Sequence, residues 1–168
     1  GLDATLNYQI IKGLSLNIGY SFIDAKDQGV LDRIKAGKIF RRDPITYETV
    51  RVTKKEYGGL FDRSKHSFTV KIYYENTKHA FSTYLRVIYR GKYGWKDING
   101  NQILDIPSEY AKGYALMNFS FTKSFKNKYH VMVGIDNMLN TKRPINVPAM
   151  NGITAVVGLT INFLNPNN

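Results

Sequence analysis

Apolar and polar residues alternate along most of this chain with a period of two. In residues 13–24, Leu14, Leu16, Ile18, Tyr20 and Phe22 share one parity, and Ser15, Asn17, Gly19 and Ser21 share the other. Successive side chains of a strand point to opposite faces, so the segment predicts a strand with one apolar face and one small, polar face. The same alternation runs through residues 2–10, 67–74, 81–90, 115–122, 129–136 and 153–163. Seven strands are therefore expected, and no helix.

The connections alternate too. Short turns are predicted at Ile11-Lys12-Gly13, around Asn76-Thr77-Lys78 and at Lys126-Asn127-Lys128, and long loops at about 26–61, 91–112 and 137–151. Short turns at one end and long loops at the other are the habit of outer-membrane barrels, with turns periplasmic and loops extracellular. On that scheme Gly1 starts outside and the chain ends in the periplasm. A soluble β-sandwich also alternates. Against it, the polar faces carry Ser, Thr, Asn and Gly with few large apolar residues, as suits a lumen. Aromatics such as Tyr8, Phe22, Tyr74, Tyr89, Tyr129 and Phe163 stand towards strand ends, as in an interfacial girdle. The expected fold is all-β, an antiparallel transmembrane β-barrel. Seven strands do not close a barrel, since single-chain barrels usually have an even count and open edges in lipid leave backbone groups unsatisfied. Further strands must be supplied.

Composition fits. Tyr (12) and Phe (9) are abundant and Cys is absent, which excludes disulfides and thiolate metal sites. Mean hydropathy is only −0.32. A barrel strand needs about 9–11 residues with every second one apolar, so low hydropathy does not exclude a membrane. No signal peptide is visible, since Gly1-Leu2-Asp3-Ala4 already reads as strand, so the chain is expected to be a fragment or a processed piece. The net charge of +11 raises nucleic acid as a partner, but Lys and Arg are interleaved with Asp and Glu and no nucleic-acid-binding signature appears.

Three segments carry a family resemblance. Val133-Gly134-Ile135-Asp136-Asn137-Met138-Leu139-Asn140-Thr141-Lys142-Arg143 resembles the penultimate-strand signature of TonB-dependent outer-membrane receptors, with Met138-Leu139 for the usual Leu-Phe and Arg143-Pro144 for the final Lys-Tyr. Gly58-Gly59-Leu60-Phe61-Asp62-Arg63-Ser64-Lys65-His66 resembles a loop-to-strand passage of these receptors, and Gly19 to Asp27 resembles a strand exit. The last strand adds an assembly signal: Gly158, Ile161 and Phe163 fit the glycine, apolar and aromatic positions read by the barrel assembly machinery, with Val157 where a polar residue is usual and five residues after Phe163. The resemblance implies that residues 1–168 are the C-terminal seven strands of a barrel of the 22-strand, plugged kind, whose N-terminal plug and earlier strands lie outside this chain. It implies partners as well: outer-membrane lipid and lipopolysaccharide, the receptor's own plug and remaining strands, the TonB complex through the N-terminal part, and the assembly machinery. No cofactor is implied.

Candidate ligand-binding residues are picked out by charge and position. The lumen parity of three strands holds Lys71, Tyr73, Tyr84, Arg86 and Arg90, where a cation pairs with plug carboxylates or meets an anionic substrate. The loop at 26–61 carries Arg33, Lys35, Lys38, Arg41, Arg42, Arg51, Lys54 and Lys55 among the aromatics Phe40, Tyr47 and Tyr57, and loops on rigid scaffolds carry function. Asp97 to Asp105 spaces oxygen ligands as an EF-hand does, but with glycine at the fourth position and no Glu at the twelfth, so an Asx-type turn around Asn99-Gly100 is expected. His66, His79 and His130 have no metal-ligand spacing, and His66, near the outer rim, is the haem-ligand candidate among them. There is no Gly-x-Ser-x-Gly, His-Glu-x-x-His or Walker loop, and no enzyme is expected. The expected function is the wall of a receptor for TonB-coupled uptake of a scarce, bulky nutrient of the iron–siderophore, haem or cobalamin type. A passive porin-like channel is the alternative.

Overall fold

The computed structural model describes residues 1–43, 45–126 and 128–163. Asn127, at the centre of the third predicted turn, and the five residues after Phe163 lie outside the described residues. In chain order the elements are β1 (Leu2–Ile11), β2 (Leu14–Phe22), α1 (Gln28–Lys35), β3 (Phe40–Arg42), β4 (Thr49–Arg51), β5 (His66–Asn76), β6 (Phe81–Arg90), β7 (Tyr93–Gly94), β8 (Tyr110–Ala111), β9 (Tyr114–Phe125), β10 (Tyr129–Asp136) and β11 (Thr154–Ile161). A short 3-10 turn at Pro107–Glu109 precedes β8.

The seven long strands form one sheet in the order β1-β2-β5-β6-β9-β10-β11, each strand lying beside its nearest long neighbour in sequence. The sheet is open, with β1 and β11 at its edges. The strands run from 8 to 12 residues. Ten residues at about 3.3 Å each span about 33 Å, which a tilt of about 40–45° reduces to the ~25 Å height of a barrel's apolar band.

Register keeps the two faces chemically distinct. Phe119, Ile135 and Ala155 stand in one row across β9, β10 and β11, and Phe121, Val133 and Val157 in the next but one. The alternate rows hold Ser120, Gly134 and Val156, and Thr122, Met132 and Gly158. A slip of one residue would exchange the faces, so this pairing is specified by the pattern itself. Rings meet along the apolar parity: Phe68 stacks on Tyr89 at 5.0 Å, and Phe81 lies 5.8 Å from Tyr74 and 5.6 Å from Phe121. On the polar parity Asn7 and Asn17 bond through their amides. Gly13 makes the β1–β2 turn with φ of +85°, where a Cβ would run into the backbone oxygen of Glu75.

Contacts divide the chain into two compact units. One comprises Asp3–Tyr20, Phe68–Tyr89 and the chain from Tyr114 onward, and so holds most of the sheet. The other comprises Gly1–Leu2, Ser21–Ser67 and Arg90–Gly113. The buried apolar residues all belong to the second: Ile34, Ile39, Val52, Tyr57, Ile103 and Leu104, with Tyr93 and Ala111. Among the described residues the long strands bury no large apolar side chain, and Leu2, Leu6, Val133, Val157 and Leu159 are well exposed.

The long loops are not plain loops, and here the expectation of no helix is corrected. Residues 23–65 fold into α1 and the β3–β4 hairpin, and residues 91–113 contribute β7, β8 and the 3-10 turn. Asp27 caps α1 by accepting from Val30 N at 2.9 Å, and Arg33 and Lys35 sit at its C-terminal end, where a cation suits the helix dipole. Val30, Leu31 and Ile34 line one side of α1 and pack on Ile39, Val52, Tyr57 and Ile103. Removing that apolar surface from water is what allows so short a helix to persist.

Candidate functional site

The loop unit is fastened by carboxylates. Glu109, with no solvent exposure, accepts from Ile98 N (3.1 Å), Asp105 N (2.8 Å) and Ile106 N (3.1 Å). Asp97 accepts from Gly100 N and Gln102 N, Asn99 from Asn101 N, and Asn101 from Ile103 N. The segment around Asn99-Gly100 is thus a run of Asx turns, as expected. Its side chains converge on Asp105, which accepts from the Asn99 and Asn101 amides. Burial pushes the Asp105 carboxyl up, opposed by those amides and reinforced by the charge of Glu109.

Arg41 joins the two loop segments, bonding Glu56 at 2.7 Å and reaching Asp105 at 3.6 Å. Glu56 also accepts from Thr53 N and Thr53 Oγ1, both at 2.7 Å, and those bonds together with Arg41 hold its carboxyl below the usual range. Asp24 is lowered chiefly by its bond to Lys65 at 2.8 Å.

Beside this clamp lies a cavity of about 510 Å³, lined wholly by the loop unit. Its cations are Lys26, Lys55, Arg63, Lys65 and Lys92, with His66 among the lining residues. Its floor is aromatic and apolar: Tyr57, Tyr110, Leu60, Ile106 and Pro107. Lys26 lies 5.7 Å over the Tyr57 ring and Lys92 4.2 Å over the Tyr110 ring, within reach of cation–π attraction. Tyr57 is almost fully buried, and its hydroxyl accepts from Asp27 N at 3.1 Å. Gly58 lets Tyr110 close the floor, since a Cβ there would land on the Tyr110 hydroxyl. Burial, and then the charges of Glu109 and Asp105, push that hydroxyl up and keep it protonated, a hydrogen-bond donor.

Of the residues singled out from the sequence, Lys55, Tyr57 and His66 line this cavity. His66 packs its ring 5.2 Å from Phe22. Arg41 is the clamp. Arg42 donates to Tyr47 O at 3.2 Å and lies 5.5 Å over the Tyr47 ring at an exposed turn. Arg90 holds Asp62 through its side-chain oxygen (2.6 Å) and its carbonyl (2.8 Å), 3.8 Å over the Tyr93 ring. Lys71 and Tyr84 share a second hollow, on the sheet's polar parity with Tyr73, Asn7 and Asn17. Arg86 is on the same strand as Tyr84, and its Nε is buried with no hydrogen-bond partner among the described residues. Gly158 and Ile161 lie on the edge strand β11, and the highly exposed Phe163 stands just beyond its end.

Apart from Lys55, the cavity cations escaped notice as a group because they are far apart in sequence. Lys26 comes after the end of β2 while Arg63 and Lys65 precede β5, and the pairing of β2 with β5 brings exit and approach together, as the Ile23 N to Lys65 O bond (2.9 Å) records. Basic residues flanking both ends of one long loop are the signal that would have found Lys26, Arg63 and Lys65.

No family model matches this chain, and no curated protein matches it. Solved structures do. The ferric enterobactin receptor (PfeA) of Pseudomonas aeruginosa, in a point-mutant crystal structure, matches with a TM-score of 0.52 and 12% sequence identity, over 89% of this chain and 18% of the receptor. The chain therefore spans under a fifth of that protein's length. At this identity the likeness is one of fold.

Proposed function

We propose that this chain is part of the wall and outer loops of an outer-membrane receptor that takes up a scarce, bulky nutrient by active, TonB-coupled transport. The observation that carries the reading is the sheet: seven strands of 8 to 12 residues side by side in sequence order, with apolar and polar parities kept apart by the antiparallel register of β9, β10 and β11 and, among the described residues, no large apolar side chain buried within them. The fold likeness to a ferric enterobactin receptor supports it, as does the sequence resemblance around Asn137 to Arg143. In this reading a plug and further strands complete a barrel of about 22 strands, as in outer-membrane transporters, the long loops face outside, and the chain's role is transport rather than catalysis.

Uptake by intact cells tests it. Cells lacking the protein are expected to lose accumulation of the nutrient, and a protonophore is expected to abolish accumulation in cells that have it. Uptake indifferent to the protonophore, together with open-channel conductance of the purified protein in planar bilayers, would make it a passive channel instead.

A further inference from the structure

We infer that the end of the sheet formed by its three short turns is a docking surface for the headgroups of anionic phospholipids, in the membrane leaflet that meets those turns. The inference rests on the membrane-wall reading and adds a partner of stated chemistry for that end.

Backbone hydrogen bonds set the turns in one row. Glu75 N donates to Gly13 O (2.8 Å), tying the first turn to the end of β5. Ser124 N donates to Ala80 O (2.8 Å), tying the second turn to the end of β9, and Asn162 N donates to Lys128 O (2.9 Å), tying the third to the chain just past β11. All of these residues belong to the unit that holds most of the sheet. The row gathers Lys12, Lys78, Lys123, Lys126 and Lys128, all exposed except the half-buried Lys123. Of the 13 Asp and Glu residues in the chain, Glu75 is the one that stands among them. It shares the polar parity of β5 with Tyr73, whose hydroxyl donates to it at 3.2 Å, so its charge is turned from the apolar face. Among the described residues none of the five lysines has a carboxylate partner. Gathering like charges is unfavourable, and anions laid against them reverse the sign of that energy.

Lys123 says what kind of anion. It stands on the apolar parity of β9 with Phe121 and Phe125, in one row with Val131 and Leu159. Its ammonium runs to the rim, where it donates to His79 O in the second turn and lies 5.8 Å from the Phe125 ring centroid. A lysine on a lipid-facing surface bends in this way to bring its charge to the interface, and its three donors allow a phosphate oxygen to bind beside a carbonyl. Lys128 lies 5.6 Å over the Tyr129 ring, and Phe125 and Tyr129, which flank the third turn, are exposed, as rings at headgroup level are. A free anion leaves the apolar row below Lys123 uncovered. A phospholipid covers it with an acyl chain while its phosphate meets the ammonium. A zwitterionic headgroup brings its own cation and gains little from the lysines, whereas a net-negative one gains from each of them.

The test places the intact protein in phosphatidylcholine vesicles, with a bimane fluorophore on a single cysteine at Val131, in the row of Lys123. Phosphatidylglycerol or phosphatidylcholine carrying a doxyl group near the head is added as quencher at equal mole fraction. Phosphatidylglycerol is expected to associate about fivefold more strongly, the effect of roughly one lysine at a charged lipid surface. That preference should shrink as ionic strength rises. Lys123→Gln combined with Lys126→Gln and Lys128→Gln should abolish it, Lys123→Arg should keep it, and Lys35→Gln, on α1, should change nothing. Equal quenching by the two lipids would overturn the inference and leave the wall reading standing, and an acidic protein would then be the partner to seek. A preference that survives the triple substitution or high salt, or that Lys35→Gln removes as well, would also overturn it. Quenching by neither lipid would overturn the wall reading and this inference together. Should the triple variant fail to fold, the salt titration of the chain with its lysines intact decides.

Discussion

Single side chains hold the loop unit in shape, and Glu109 is the most exacting of them. Its carboxylate accepts from three backbone N–H groups while wholly out of water. In Glu109→Gln the amide turns donors toward donors, and a buried N–H left without an acceptor costs about 1–3 kcal/mol. The expected outcome is faster hydrogen exchange at Ile98, Asp105 and Ile106, with exchange in β9 and β10 unchanged. Unaltered exchange at those three amides would show that the carboxylate is not what fastens the segment. Glu56 gives a pH prediction. Its folded pKa lies below the ordinary glutamate value, through Thr53 and then Arg41. Its contribution is therefore fully present above the ordinary value and is lost as pH falls through the depressed one; Asp24, lowered by Lys65, behaves alike. Asp105, raised by burial, has the opposite sign, its ionised form being the penalised one and the penalty fading on acidification. Loop protection should thus fall below the ordinary carboxylate range, and Glu56→Gln should flatten that fall. An unchanged acid limb in hydrogen exchange would assign the loss to other groups.

At the scale of elements, the sheet was legible and the loops were not. A period of two over eight or more residues has few competing explanations, so all seven strands and the two short turns whose residues are described fall where the alternation puts them. The α1 helix is eight residues long, and the stripe of Val30, Leu31 and Ile34 covers barely more than one turn, too short a period to stand out inside a long loop. Asp27 as an N-cap with basic residues at the far end was the available signal. The cavity was illegible for another reason: apart from Lys55, its cations sit near the joins between strands and loops and become neighbours only through pairing. The sheet's face assignment is testable on β6. Leu85 belongs to the apolar parity, and Leu85→Arg should cost about 2–4 kcal/mol, the range for a cation facing lipid near the midplane. Ser82→Arg, on the polar parity, should be better tolerated. Equal costs in a folding titration from detergent or vesicles would reverse or abolish the assignment.

For the molecule as a whole, what matters is what covers the apolar parity of the sheet. Among the described residues the only apolar core is in the loop unit, and the strands leave Leu, Val, Phe and Tyr exposed on both edges and between. Soluble monomers rarely tolerate contiguous apolar patches beyond a few hundred Å², and β1 and β11 each present an unpaired edge that invites aggregation in water. In the proposed reading, lipid on one face, a polar lumen on the other and further strands that close the sheet would resolve both problems. The most direct measurement places single cysteines in turn at residues 82–87 of the intact protein in lipid bilayers, attaches a nitroxide to each, and compares relaxation by oxygen with relaxation by a water-soluble nickel complex. The account predicts a strict alternation, with labels at Thr83, Leu85 and Val87 reached by oxygen and those at Ser82, Tyr84 and Arg86 shielded from lipid. Labels equally reached by the nickel complex on both parities, or an apolar parity closed to both reagents as in a packed sandwich, would contradict it.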